Sequence, residues 1–370
     1  MEEKYNAPNE VKSLNIINIK DLEIQASKIV PKGGFEYIQG GAGDEWTLKE
    51  NTYSFEKKQI VPRVLQNLEN PDTKTSILGI DIDMPIIMAS AASHGLAHES
   101  GEKGTAKGVS EVNTIMGVST YSTDTIEDIA KAGNGGPQWF QLYMSKDDEF
   151  NKYIVKDAES NGAKAIIITA DATVGGNREA DIRNNFIFPL KMANLEKLGS
   201  GKGQGIAEIF KNALQKLSFE DIKKIKSYTN LPIIIKGIQS PEDAIASITA
   251  GADAIWVSNH GGRQLDGGPA SFDVLEDIAK AVNKRVPIIF DSGIRRGQHV
   301  FKAIASGADV VAIGRPAIYG LALGGYKGVK SVFNYLNNEL QMVMQLAGTK
   351  NIEDIKKNKL IQKGQISKLQ

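Results

Sequence analysis

Short apolar runs recur along the chain, each followed by a polar cluster and then by apolar residues at helical spacing. Eight such runs occupy residues 84–92, 113–119, 137–144, 163–171, 232–237, 254–260, 287–293 and 310–315, and their starts lie 29, 24, 26, 69, 22, 33 and 23 residues apart. A parallel strand covered on both faces reads as an unbroken apolar run. A strand, a helix and two short loops fill this spacing, so the pattern predicts an α/β fold, a TIM (β/α)8 barrel. Helix start signals agree with it. Ser240-Pro241-Glu242 supplies an N-cap, a Pro in the first turn and an early acid, and Asp124 with Glu127 resembles a capping box.

One gap is much longer than the others. It holds about 45 extra residues between Ala172 and Ser218, with the glycine-rich stretch Gly199-Ser200-Gly201-Lys202-Gly203-Gln204-Gly205 at its centre. We read one domain over residues 1–370. A helical segment (1–80) lies outside the barrel, a mobile, lid-like insertion (172–218) follows the fourth strand, and a helical tail (346–370) ends the chain.

Composition narrows the chemistry. Lys+Arg and Asp+Glu both number 44, so the net charge is zero, and neither nucleic acid nor an anionic membrane is expected as main partner. The absence of Cys removes disulfides, thiolate metal sites and a thiol nucleophile. No metal site is expected. The acidic start Met1-Glu2-Glu3 lacks the apolar core of a signal peptide, and no apolar run reaches the length of a membrane span, so a cytoplasmic enzyme is expected.

Barrel enzymes gather their chemistry at the C-terminal ends of the strands. Here those ends carry Ser119, Gln141 with Tyr143, Thr169 with Asp171, Lys236, then Ser258, His260 and Arg263, then Asp291, Gly293 and Arg295, and finally Gly314 with Arg315. His260 and Arg263 frame Gly261-Gly262, so one loop offers a proton acceptor and an anion clamp. The Gly–Arg pairings after the seventh and eighth strands suit a phosphate, on a substrate or on a cofactor. A Walker loop and a Rossmann glycine fingerprint are both missing.

Ser258-Asn259-His260-Gly261-Gly262-Arg263-Gln264-Leu265-Asp266, Asp291-Ser292-Gly293-Ile294-Arg295-Arg296-Gly297 and Ile313-Gly314-Arg315-Pro316 together resemble the FMN-dependent 2-hydroxy acid oxidase family. Gly175-Gly176-Asn177-Arg178-Glu179-Ala180-Asp181 and Glu45-Trp46-Thr47-Leu48-Lys49-Glu50-Asn51 resemble two further motifs of it. Residues 88–98 and 135–144 are similar to its lactate-oxidising branch. The resemblance implies FMN as cofactor, a small L-2-hydroxy acid as substrate, foremost L-lactate, and O2 as acceptor, giving pyruvate and H2O2. Glycolate or a longer 2-hydroxy acid, or a dehydrogenase with another acceptor, stays open beside it. A phosphosugar isomerase or a non-catalytic phosphate binder would leave His260, Arg263 and Arg178 unexplained. The resemblance also implies a homotetramer.

Residue by residue, it implies His260 as base, steadied by Asp171, with Tyr143 beside it. Arg178 and Arg263 would hold the substrate carboxylate, and Tyr37 and Tyr143 its oxygens. Lys236 would face the flavin N1 edge, with Ser119, Gln141, Thr169 and Ser258 about the ring. Ala92 would face N5, Asp291 the ribityl chain, and Gly293, Arg295, Gly314 and Arg315 the phosphate. Two positions depart from the family. Phe188 stands where lactate-oxidising members often carry a Tyr bordering the substrate, and Ser90 where a Pro flanks the flavin. Five other features read as structural. His94 and His98 line the first helix, and His299 is expected at the surface. Trp139 and Trp256 belong to the core, and Trp46 packs in the N-terminal segment. Residues 356–359 form a solvated helix end.

Overall fold

The computed structural model describes residues 5–199 and 201–364. Ser200 of the glycine-rich stretch, the acidic start and the last six residues of the tail lie outside them. Three short strands precede the barrel: β1 (Lys58–Ile60), and β2 (Thr75–Ile77) paired with β3 (Ile80–Ile82). Eight parallel strands close the barrel. They are β4 (Ile86–Met88), β5 (Met116–Ser119), β6 (Gln138–Leu142), β7 (Ala165–Thr169), β8 (Ile233–Ile238), β9 (Ala254–Val257), β10 (Ile288–Phe290) and β11 (Val310–Ile313). Val311 opposite Ile86 joins the last strand to the first.

Burial explains the unbroken apolar runs. Along each strand one set of side chains points inward and the alternate set outward. Ile87, Trp139, Ile167, Ile234, Trp256 and Ile289 fill the barrel, where the rings of Trp139 and Trp256 meet edge to face at 6.5 Å. Ile86, Phe140, Ile166, Ile168, Ile255 and Phe290 belong instead to the outer cluster against the helices. Ile77 and Ile82 of the hairpin join the inner cluster. This hairpin was not foreseen, since three-residue strands are too short to show a period.

The helices are α1 (Ile19–Ala26), α2 (Lys32–Gln39), α3 (Trp46–Tyr53), α4 (Gly101–Ser110), α5 (Ile126–Ala132), α6 (Asp148–Ser160), α7 (Glu179–Arg183), α8 (Ile206–Ile209), α9 (Phe219–Lys226), α10 (Pro241–Thr249), α11 (Ser271–Val282), α12 (Gly297–Ala305), α13 (Arg315–Ala347) and α14 (Ile352–Lys357). Ser240 caps α10 as its sequence indicated, its side chain accepting from Asp243 N. The capping residue of α5 is Thr125 rather than Asp124, and Asp124 instead accepts from Lys103 N in α4. The tail is not all helix, because β12 (Leu360–Gln362) pairs antiparallel with β1. Trp46 is half exposed rather than packed. Among residues 356–359, Lys356 pairs with Asp309 at 2.9 Å. No helix among the described residues is long and apolar enough to cross a membrane.

The insertion lies across the strand ends. It contains α7, α8 and two short 3-10 turns, Ala193–Leu198 and Phe210–Asn212. Backbone bonds tie it down, from Ala193 N to Ser122 O (3.0 Å) and from Leu214 N to Met144 O (2.8 Å).

Candidate active site

The loop after β9 owes its shape to three successive residues with positive φ: His260 at 60°, Gly261 at 66° and Gly262 at 73°. Glycine takes this conformation freely, whereas histidine is strained in it by about 1–2 kcal/mol. The turn carries the imidazole off the strand end into a cavity. At Gly262 an added Cβ would lie 2.6 Å from Leu48 Cα, so α3 packs where a side chain would be. Asn51 and Asn259 exchange amide hydrogen bonds (2.9 and 2.6 Å), and Asp266 accepts from the N–H groups of Asp44 and Thr47. Two motifs 200 residues apart in sequence therefore form one support.

His260 is held at both ring nitrogens. Nδ1 lies 3.0 Å from Asp171 Oδ1, and Nε2 lies 3.2 Å from the Tyr143 hydroxyl. Burial pushes the Asp171 carboxyl up, but the charges of His260 and Lys236 outweigh it and hold the group below its usual range. Burial raises Tyr143 well above the ordinary phenol value, so its proton stays on. An ionised Asp171 accepts from Nδ1–H, and the phenol donates to Nε2. Those partners assign a neutral imidazole with its lone pair at Nε2. Burial also lowers His260 below 6.5, against the pull of Asp171.

Two guanidinium groups flank the Tyr37 ring, Arg263 at 4.9 Å and Arg178 at 5.5 Å from its centroid. Arg263 donates to the carbonyls of Tyr37 (2.6 Å) and Gly40 (2.8 Å). Arg178 approaches Asp181 at 3.7 Å, yet its Nε is buried without a partner. Burial pushes the Asp181 carboxyl up despite both arginines. The Arg178 segment sits this close because Gly176 has no side chain, for a Cβ there would meet Arg263 O at 2.2 Å.

Lys236 donates to Ser258 Oγ (3.0 Å) and lies 3.6 Å from Asp291, whose carboxylate also accepts from Trp256 Nε1 (3.0 Å) and Ser292 Oγ (2.8 Å). Ser119, Gln141 and Thr169 form one buried chain of hydrogen bonds, 3.1 Å and then 2.9 Å long.

A single cavity unites most of these groups. It spans about 1070 Å³ of space, open solvent at its mouth included. Tyr37, Ala92, Tyr143, Arg178, Lys236, His260, Arg263, Asp291, Gly293, Arg295, Gly314 and Arg315 all line it. Asp171, Ser119, Gln141, Thr169 and Ser258 stand outside its lining, one bond behind it or in the strand-end chain. Arg315 differs most from expectation. Its guanidinium is engaged with the carbonyls of Ile38 (3.1 Å), Gly261 (3.0 Å) and Gly40 (2.9 Å), so it ties α2 to the loop after β9.

Several lining residues went unforeseen, among them Tyr121, Gln264, Ile206 and Phe210. Gln264 had a signal, since it lies inside the His260 motif. It bonds to Val174 O (2.8 Å) and Asp171 O (3.2 Å). Ile206 and Phe210 come from the aperiodic insertion and had none. Phe188 is not on the cavity wall. It is buried edge-on against Tyr37, with ring centroids 5.0 Å apart. Ser90 does line the cavity. His299 is buried rather than at the surface, stacked on Phe55 at 4.4 Å and accepting from Arg295 N at 3.2 Å. Burial, with Lys302 nearby, lowers it to about 3. His94 bonds Thr105 (2.8 Å), while His98 bonds Ser100 (2.9 Å) and, across to the N-terminal segment, Glu10 O (3.2 Å).

A model of the FMN-dependent dehydrogenase family matches residues 26–362. The L-lactate oxidase of Lentilactobacillus hilgardii is 59% identical over 359 residues, 96% of this chain and 97% of that protein. The L-lactate oxidase of Streptococcus iniae is 51% identical over 349 residues, 94% of this chain and 86% of that one. Among solved structures, a mandelate oxidase superposes with a TM-score of 0.88 at 32% identity, covering 94% of this chain and 99% of that one.

Proposed function

Because the chain belongs to the FMN-dependent dehydrogenase family, we propose that it oxidises L-lactate with FMN, passing the electrons to O2: L-lactate and O2 give pyruvate and H2O2. The observation that carries this reading is the convergence of His260, Arg178, Arg263 and Lys236 on one cavity.

The cavity fits the cofactor on its own terms. At Gly314, the N-cap of α13, an added Cβ would meet nothing within 4 Å, which leaves open space at a helix N-terminus beside Arg295. That combination receives a phosphate. Ala92 and Ser90 offer a small-residue wall for a flat ring, and Lys236 supplies a fixed cation at its edge. We assign Ser119, Gln141, Thr169 and Ser258 to the supports of that ring and Asp291 to the anchoring of Lys236. Bound there, FMN would accept two electrons from the substrate.

The other steps belong to the protein. Arg178, with its unpartnered Nε, and Arg263 grip the substrate carboxylate and aim C2. Tyr37 and Tyr143 guide its oxygens. His260 Nε2 takes the proton, and Asp171 balances the imidazolium that results. A homotetramer and a cytoplasmic location complete the proposal. Exposed apolar residues such as Leu65, Leu265 and Leu346 give subunit contacts something to cover.

Purified protein should be yellow, and L-lactate should bleach it in the absence of air. Readmitted air should restore the colour with one H2O2 per turnover. A colourless protein that takes up no added FMN would defeat the reading.

A further inference from the structure

A second, smaller cavity adjoins the first. It spans about 290 Å³ of space, open mouth included, between the insertion and the ends of β5 and β6. Leu195, Ile209 and Ala213 of the insertion and Phe150 of α6 form apolar walls. Tyr121 and Tyr143 line both cavities, and their rings, stacked with centroids 4.5 Å apart, make the partition. Tyr143 touches His260 on its other side, so this void lies one aromatic ring from the reacting centre.

Two hydroxyls at its edge are already engaged, and Asn212 stands exposed at its rim. Thr120 Oγ1 donates to Gln141 O (2.6 Å), and Ser145 Oγ donates to Asn212 O (3.3 Å). Water needs two or more hydrogen-bond partners to stay in such a space, so apolar voids remain dry and take up apolar guests. Its site suits a guest that must reach the centre while substrate or product fills the main cavity. The same stretch of insertion roofs both spaces, with Ile209 over the smaller one and Ile206 and Phe210 over the larger.

We propose that this cavity is a holding site for molecular oxygen, which reaches the flavin by passing the Tyr121–Tyr143 partition. O2 is small, apolar and without hydrogen bonds to satisfy, which matches what the walls offer. The inference rests on the main cavity being an oxidase site and names where that site's second substrate waits.

Two measurements test it. Xenon, an apolar probe of similar size, should bind in crystals of the holoenzyme between Leu195, Phe150 and Ala213. Leu195→Phe and Ala213→Ile, made separately, should fill the space. In stopped-flow each should slow the return of yellow colour on mixing reduced enzyme with O2 by roughly threefold or more, while anaerobic bleaching by L-lactate stays within about twofold of native. No xenon in the native cavity would overturn the proposal. So would native reoxidation in both filled variants, or equal slowing of both half-reactions. Reducing the flavin with dithionite keeps the oxygen measurement independent of substrate. Failure of L-lactate to bleach the native enzyme would therefore count against the functional reading and not against the cavity.

Discussion

His260 can accept a proton only while neutral, and its surroundings keep it neutral. Burial lowers its pKa below 6.5, and Asp171, pulling the other way, does not restore it. The working form is the deprotonated one, so its population rises with pH through that lowered value and is already the majority at 6.5. The rate of anaerobic bleaching by L-lactate should therefore be level from neutral pH upward and fall only in more acid buffer. A rate that keeps climbing between pH 7 and 8 would remove His260 as the titrating base. Asp171→Asn keeps an oxygen beside Nδ1 but not the charge that balances imidazolium. Bleaching should slow by roughly 10²–10⁴, with the flavin still bound and yellow. A rate within threefold of native would end the role given to Asp171.

At the scale of elements, the site is held by contacts between α2, α3 and the loop after β9, so damage there should travel. Gly262→Ala places a methyl 2.6 Å from Leu48 Cα at a φ of 73°. It should cost about 1–2 kcal/mol or more in stability and, by displacing the loop that carries His260 and Arg263 from α3, raise KM for L-lactate. Ser240→Ala removes the cap of α10 and no site contact, so it should cost about 1 kcal/mol and leave KM alone. Urea midpoints and KM separate the two, and a native KM in Gly262→Ala would break the link. The same contrast shows what sequence made legible. The barrel strands were, because each run is apolar on both faces. His260, Arg263 and Arg178 were, because guanidinium and imidazole in glycine-rich loops have few structural uses. Phe210 was not, since an aromatic in an aperiodic insertion gives no hint of the wall it joins, and Tyr121, two residues past β5, lies beyond the strand end where site residues were sought. His299 was misread because a polar residue in a barrel helix was expected to face solvent, whereas α12 is buried on nearly every face, Lys302 included. Arg315 was legible as a cation at the end of the eighth barrel strand but not as the tie holding three backbone carbonyls.

For the whole molecule, the four histidines set a shared response to acid. His94, His98, His260 and His299 all lie below 6.5 in the folded protein, each chiefly through burial. Once unfolded they titrate near 6.5, so below that pH the unfolded chain binds more protons than the folded one. Stability is then complete above about 6.5 and drains away as pH falls toward the lowered folded values, by up to about 1.4 kcal/mol per pH unit for each histidine. The lowered carboxylates, such as Asp171 and Asp148, act in the same direction but only in stronger acid, within the usual carboxylate range. Asp181, raised by burial, opposes them there. The interval from pH 6.5 to 5 thus reports mainly on imidazole. The urea midpoint of the holoenzyme should be steady from pH 7.5 to 6.5 and then drop steeply. His299→Asn, which keeps an acceptor near Arg295 N but does not titrate, should make the drop shallower. A midpoint unchanged between pH 6.5 and 5 would mean that these imidazoles are not held neutral inside the fold.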